Sequence, residues 1–339
     1  MCLLGQRDNR YSAPVSNGPT LPDRATKDRR GTRILLIGCG FIGSHIVEEL
    51  IASGRPPVVL TRSRPSEAVA GLLAGDDLHI GDAGAPEVVE RVLEGVGHVI
   101  FSAGGLLPAA SEQNPELDAR LTLGPVRTVL EALRRRPGVT LTYLSSGGTV
   151  YGEPDETPVS EDAPTRAFGT YGLLHLACEA DIRRERSEHG LHARILRCST
   201  VYGEHQCPDR GQGAVVTFLH RIERGAPVHL YGGGGTIRDY VYAGDVARVV
   251  VELIDREDGP PILNLGASEG TSLIDLLHLA EKQVGRTAEV IQHPERGFEV
   301  HAIVLDTTWL CDLVSYEPTP LEAGIARTHA WLTAAPQRV

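Results

Sequence analysis

Lysine is nearly absent from this 339-residue chain, which carries only Lys27 and Lys282, so its positive charge rests almost entirely on arginine. The six cysteines, Cys2, Cys39, Cys178, Cys198, Cys207 and Cys311, stand far apart and form neither a C-x-x-C pair nor the Cys/His spacing of a zinc site. That excludes a metal framework of ordinary spacing, and reduced, mostly buried thiols are the expectation. No apolar run approaches the roughly 18 residues of a membrane-spanning helix. The first 31 residues mix Pro, Gly, Asn and charge without the apolar centre of a secretory leader. They read as a disordered tail, and the cytoplasm is the expected location. Excess positive charge is missing as well. A net charge of −11 gives no reason to expect nucleic-acid or membrane partners, although a local basic pocket for phosphate is compatible with it.

What is present is a core and a regular alternation. Apolar residues make up 41% of the chain, enough for one large α/β domain or a main domain with a smaller lobe. From Arg33, the run Ile34-Leu35-Leu36-Ile37 ends in glycine and gives way to "FIGSHIVEELIASG", which has helical periodicity and a Gly54 stop. Strand-like "PVVLTRS", "LHIGD", "HVIFSAGG" and "TLTYLSSGG" then alternate with helical stretches near 85–95 and 115–135. Further helices near 170–189 and 213–224 flank the strand "ARILRCSTVYG". This alternation predicts a Rossmann-type, doubly wound parallel sheet with its ligand site at the carboxyl ends of the strands. The expected boundaries are a dinucleotide-binding domain over 32–202, with a later contribution from about 237–265, and a smaller C-terminal substrate-binding lobe from 203–236 and 266–339.

Gly38-Cys39-Gly40-Phe41-Ile42-Gly43 is G-x-G-x-x-G placed between a strand and a helix. Its first glycine permits the tight turn, its second lets backbone approach a pyrophosphate, and its third lets helix and strand pack closely. Gly38, Gly40, Phe41, Ile42 and Gly43 are therefore assigned to cofactor binding, together with Ala103 at the end of "HVIFSAGG". NAD sites usually carry Asp or Glu about 20 residues further on, to accept from the adenine ribose. Here the second strand ends Leu60-Thr61-Arg62-Ser63-Arg64, and Arg62 and Arg64 suit a 2′-phosphate, so the cofactor is NAD(P) with NADP favoured. Asp82 is positioned for the adenine amino group.

In order and spacing, "GFIGSH", "SSGGTVYGEP", "YGLLHLACE", "LRCSTVYG", "TIRDYVYAGDVARVV", "NLGASEGTSLIDLL" and "ERGFEV" resemble the extended short-chain dehydrogenase/reductase family, in particular its nucleotide-sugar epimerases, dehydratases and reductases. The resemblance spans about residues 32–330. It implies a nucleoside diphosphate sugar substrate, a homodimer built from the helices near 115–135 and 170–189, and Tyr171 as the group that exchanges a proton with a sugar hydroxyl while hydride moves to or from the nicotinamide. Arg238 and Arg296 are implied to hold the substrate diphosphate, and Asp239 and Asp245 to stabilise the lobe junction.

Several positions leave the family pattern. Its active-site Ser/Thr falls on Gly147, with Ser145, Ser146 and Thr149 close by; Ser146 is favoured for orienting the sugar hydroxyl, Thr149 is a second catalytic candidate and Ser145 a substrate contact. Two family asparagines fall on Thr122 and on Thr200, the latter a substrate-diphosphate position. The lysine of Tyr-x-x-x-Lys falls on His175, which is assigned to both catalysis and cofactor ribose binding. A permanent lysine charge lowers a tyrosine pKa from about 10, whereas histidine, with a reference value of about 6.5, is mostly neutral at pH 7. C4 epimerisation is the first expectation. The alternatives are an NADPH-dependent 4-ketoreductase of secondary metabolism and a diverged member that binds cofactor without redox chemistry.

Overall fold

The computed structural model describes residues 32–210, 213–294 and 300–334. The expected N-terminal tail lies outside the described residues. Six strands come first: β1 (Arg33–Ile37), β2 (Val58–Thr61), β3 (Leu78–Ile80), β4 (Val96–Phe101), β5 (Thr140–Ser146) and β6 (Ala193–Cys198). They are followed by β7 (Thr200–Tyr202), β8 (Val228–Tyr231), β9 (Ile237–Tyr242), β10 (Ile262–Leu265), β11 (Gly270–Ser272), β12 (Val290–His293) and β13 (Ala302–Ile303). Seven of these form one parallel sheet in the order β10-β6-β5-β4-β1-β2-β3. The strand order reverses between β1 and β4, which opens a crevice at their carboxyl ends.

The strands of this sheet are short apolar runs because helices cover both faces. Every residue of β2 and β6 is buried. On one face lie the helices Phe41–Ala52 and Ala243–Leu253, whose Ile46, Val47, Val246 and Val250 meet Leu36 and Leu196 in one core. On the other face the helices Pro86–Val92, Pro115–Arg134 and Thr170–His189 pack Val89, Val129 and Ile182 against Leu35, Val99 and Ile195. The last of these helices ends where Gly190 takes a left-handed conformation at φ 66°, which an L side chain resists.

The remaining strands build the lobe. β9 joins β11 and β13 and pairs with β7, while β8 pairs with β12. The return to the main layer, expected from about residue 237, therefore begins only at Ala243, because the hydrogen bonds of β9 go to the small sheet. β7, expected inside the cofactor domain, sits on the same small sheet. Asp239 is fully buried and accepts from the backbone N–H of Ala267 at 2.7 Å and of Leu305 at 3.2 Å. Asp245 accepts from Thr319 N–H at 2.6 Å and pairs with Arg248 at 2.9 Å. Both carboxylates thus staple segments that are distant in sequence.

Beneath the carboxyl end of β5 runs a buried polar chain. Arg197 on β6 donates from Nη2 to Glu179 at 2.7 Å and from Nη1 to the Tyr151 hydroxyl at 3.0 Å. Tyr151 donates to Asn264 at 2.6 Å, and the Asn264 amide donates to the Val159 carbonyl at 2.8 Å. Glu179 and Arg197 are 0% and 2% exposed, so each charge depends on the other for compensation. Replacing Glu179 by Leu leaves a buried guanidinium unpaired and is expected to cost about 3–5 kcal/mol in urea unfolding. The double variant with Arg197→Leu is expected to lose clearly less than the sum of the single losses; full additivity would show that the two side chains do not act as a pair.

Candidate active site

The glycine turn closes the crevice from below. Gly38 has φ +96°, and a Cβ there would lie 2.5 Å from the Ala103 nitrogen; a Cβ at Gly43 would lie 2.1 Å from the Gly38 carbonyl oxygen. Nothing lies within 4 Å of the position a Gly40 Cβ would take. Gly40 is also the N-cap of the Phe41–Ala52 helix and brings no capping side chain, so the helix start presents backbone N–H groups to open space. The residues present fit a pyrophosphate-bearing cofactor: close packing holds the turn and space is left where the diphosphate would approach. At the tip of β2, Arg62 and Arg64 are exposed, with Arg62 donating to the Gly104 carbonyl at 3.2 Å. Asp82 is partly engaged in a local turn, accepting from Gly84 N–H at 2.8 Å.

Tyr171 and His175 lie one turn apart near the start of the Thr170–His189 helix, their rings edge to face with centroids 4.6 Å apart. Gly172 allows this helix to approach the Gly147–Val150 turn, since a Cβ there would lie only 3.0 Å from the Thr149 carbonyl. Burial pushes the Tyr171 phenol up to about 12, the nearby Asp118 carboxylate adds to the rise, and a hydrogen bond with Ser146 draws it back. Burial pushes His175 down to about 4, against the pull of Glu179 and Asp118 toward the charged form. The imidazole is therefore neutral at pH 7 and supplies no fixed positive charge to the phenol. His175 Nδ1 is 3.0 Å from the Tyr143 hydroxyl on β5; a phenol donating there leaves the ring proton on Nε2.

Strand alternation divides the serines. Ser146 faces Tyr171, whereas Ser145, expected to touch substrate, is buried and donates to Glu179 at 2.7 Å. That expectation is corrected: the Ser145 hydroxyl belongs to the buried chain under the site. Thr149 donates to the Ser146 carbonyl at 3.3 Å and so steadies the strand end. The glycine at 147 has a local cause, because a Cβ would meet Leu305 Cδ1 at 2.6 Å and the Arg197 carbonyl oxygen at 2.8 Å. No side chain fits there without moving the chain.

Thr200, on β7, is half-buried about 4.0 Å from the position a Gly148 Cβ would take, and thus adjoins the same turn. Arg238 is two residues before Tyr240, the β9 partner of Thr200, and donates to the Ile237 carbonyl at 2.9 Å. Arg296 lies outside the described residues.

Sequence reasoning missed the residues that set the environment. Asp118 is fully buried, accepting from Thr122 at 2.9 Å, Ser111 at 2.5 Å and Leu106 N–H at 2.8 Å. His45, one turn into the cofactor-side helix, is 2.9 Å from the Glu204 carbonyl, while His205 is 2.9 Å from Glu48, tying that helix to the lobe. Only Glu179 had a readable signal, since it follows His175 at the spacing by which His175 follows Tyr171.

Comparison with known proteins matches this arrangement to one family. Residues 34–266 match the sequence model of the NAD dependent epimerase/dehydratase family. The chain is 29% identical to a UDP-glucose 4-epimerase of Mycolicibacterium smegmatis, over 87% of this chain and 97% of the relative. It is 26% identical to a dTDP-4-dehydro-6-deoxyglucose reductase of Escherichia coli, over 88% and 96%. The crystal structure of the Thermus thermophilus UDP-glucose 4-epimerase in complex with NAD superposes with a TM-score of 0.82 at 31% identity, covering 89% of this chain and 99% of that one. With its seven-stranded parallel sheet, its glycine turn and the Tyr171 helix in the matched order, the chain belongs to the NAD-dependent epimerase/dehydratase family and is an enzyme of that class.

Proposed function

We propose that this enzyme interconverts nucleoside diphosphate sugars epimeric at C4, with Tyr171 as the acid/base. The observation that carries the reading is the placement of Tyr171, at the head of the Thr170–His189 helix, beside Ser146 at the carboxyl end of β5, on the sheet edge that also bears the glycine turn. A nicotinamide cofactor held at the glycine turn would supply reversible hydride transfer at the sugar carbon. Tyr171 takes the proton of the C4 hydroxyl as the phenolate and gives it back as the phenol, while Ser146 orients that hydroxyl and Thr149 holds the strand end. His175, with its proton on Nε2, donates to the cofactor ribose as a neutral hydrogen-bonding group. Gly38, Gly40, Phe41, Ile42, Gly43 and Ala103 seat the diphosphate end of the cofactor, and Asp82 accepts from its adenine. Arg238, Arg296 and Thr200 hold the diphosphate of the substrate. Exposed Leu117 and Leu173, on the Pro115–Arg134 and Thr170–His189 helices, favour a homodimer through that face.

A second reading, an NADPH-dependent 4-ketoreductase, is favoured by the exposed Arg62 and Arg64 at the tip of β2, where no acid stands to accept from a ribose 2′-hydroxyl. Incubation of the purified protein with UDP- and dTDP-sugars and each cofactor separates the two. The epimerase reading expects C4 epimers to interconvert without net cofactor turnover. Stoichiometric NADPH consumption with a 4-keto sugar would select the reductase, and failure to bind either cofactor would overturn both.

Tyr171→Phe is expected to lower kcat by about 10²–10⁴-fold, and unchanged turnover would remove Tyr171 from the chemistry. His175→Lys is expected to raise turnover near pH 7 by roughly tenfold, by adding the charge that lowers the phenol pKa. With the phenol held at about 12, the wild-type rate in the hydroxyl-deprotonating direction is expected to climb with pH, without levelling off near neutrality.

The His175 imidazole also links folding to pH. Its native value of about 4 lies below the 6.5 of a free imidazole. As pH falls through that window the unfolded chain takes up the proton first, so the native state loses stability, by up to about 3 kcal/mol at the acid end. Between about pH 7 and pH 5, His175→Gln is expected to lose less thermal stability than the wild type. Equal losses would mean that the imidazole is not held neutral.

A further inference from the structure

At the opposite edge of the sheet, by the amino-terminal ends of β5 and β6, a recess of about 410 Å³ including its open mouth lies between Thr140, Arg194 and the loop after the Ala243–Leu253 helix. Three guanidinium groups line it, those of Arg186, Arg194 and Arg256, with His192 beside them and Glu257 as the only carboxylate among the described lining residues. Arg194 is only 8% exposed yet has no carboxylate within salt-bridge distance among the described residues. Its Nη atoms donate to main-chain carbonyls alone, of Leu253 at 3.4 Å, Arg256 at 3.3 Å and Asp258 at 2.5 Å, and its Nε has no partner. Burial pushes this guanidinium below its ordinary value, and Arg186 and Arg256 push it further against the pull of Asp258. Arg256 pairs with the exposed Asp258 at 3.6 Å, and Arg186 donates to the Ala193 carbonyl.

Burying a cation among cations costs free energy unless a counter-charge accompanies it, and the main-chain carbonyls that accept from Arg194 bring none. Guanidinium forks match tetrahedral oxyanions in charge and in donor geometry. We infer that this recess is a binding site for a small tetrahedral oxyanion, inorganic phosphate or a phosphomonoester, held by Arg186, Arg194 and Arg256 and separate from the cofactor and substrate crevice. An anion seated there offsets the clustered charge and ties the start of β6 to the loop that leads into β10.

The full chain, saturated with NAD(H) to occupy the crevice, is titrated with sodium phosphate and with methyl phosphate against sodium chloride at equal ionic strength. Thermal unfolding and calorimetry are the readouts. A saturable rise in Tm specific to the phosphates is expected. Equal response to both marks a site that accepts phosphomonoesters, and response to phosphate alone restricts it to the inorganic ion. Arg186→Gln combined with Arg256→Gln is expected to weaken the phosphate Kd by roughly tenfold or more while leaving kcat unchanged. Should the double variant not fold, Arg256→Gln alone, at a partly exposed side chain, is expected to weaken binding in the same direction. No saturable phosphate effect, or one that these substitutions leave intact, overturns the site and shows that the three arginines serve only to cap the main-chain carbonyls; the proposed epimerase chemistry is untouched by either result.

Discussion

The buried Glu179–Arg197 pair is the constraint on which the catalytic face depends. It locks the Thr170–His189 helix to β6 at a depth that places Glu179 under His175, and His175 under Tyr171, along one helical stripe. The same depth buries the His175 imidazole, while the Tyr171 ring above it is half-buried. In that medium a charge without a partner is costly, and the positive charge of Arg197 is already matched by Glu179. The imidazole therefore stays neutral, and the phenol keeps its proton well above neutrality. Packing and proton chemistry at this site have one cause.

Asp118 sharpens that outcome. A carboxylate beside a tyrosine works against phenolate, so the site as folded opposes ionisation from two directions, by burial and by charge. The residues at 122, 147 and 175 belong together physically. Thr122 donates to Asp118, Gly147 yields its space to Leu305 and the Arg197 carbonyl, and His175 meets the Tyr143 hydroxyl as a neutral imidazole. Thr122, Gly147 and His175 are all neutral at pH 7, and none of them offsets the buried Asp118 carboxylate with a positive charge.

Much of the fold was readable because its signals are local. The β1 run, the glycine turn and the helix that follows occupy one short stretch, and the Tyr171–His175 spacing is fixed by helical geometry alone. What escaped depended on strand phase or on convergence. Ser145 and Ser146 are chemically identical in sequence, and only the sheet shows that one faces Glu179 and the other Tyr171. Asp118, Arg197 and Asn264 come from three distant segments, and no spacing rule joins them. β9 read as part of the main layer because its partners, β7, β11 and β13, are short strands scattered through the later chain.

The protonation state of His175 is the point on which the catalytic account turns, and NMR titration of its ring nitrogens in the cofactor-bound protein measures it directly. The account predicts an imidazole that stays neutral, with its proton on Nε2, down to about pH 5 and titrates only below that, near the value of about 4. An imidazole that titrates at or above its ordinary value of about 6.5 would contradict it, and would give the Tyr171 phenol a positively charged neighbour.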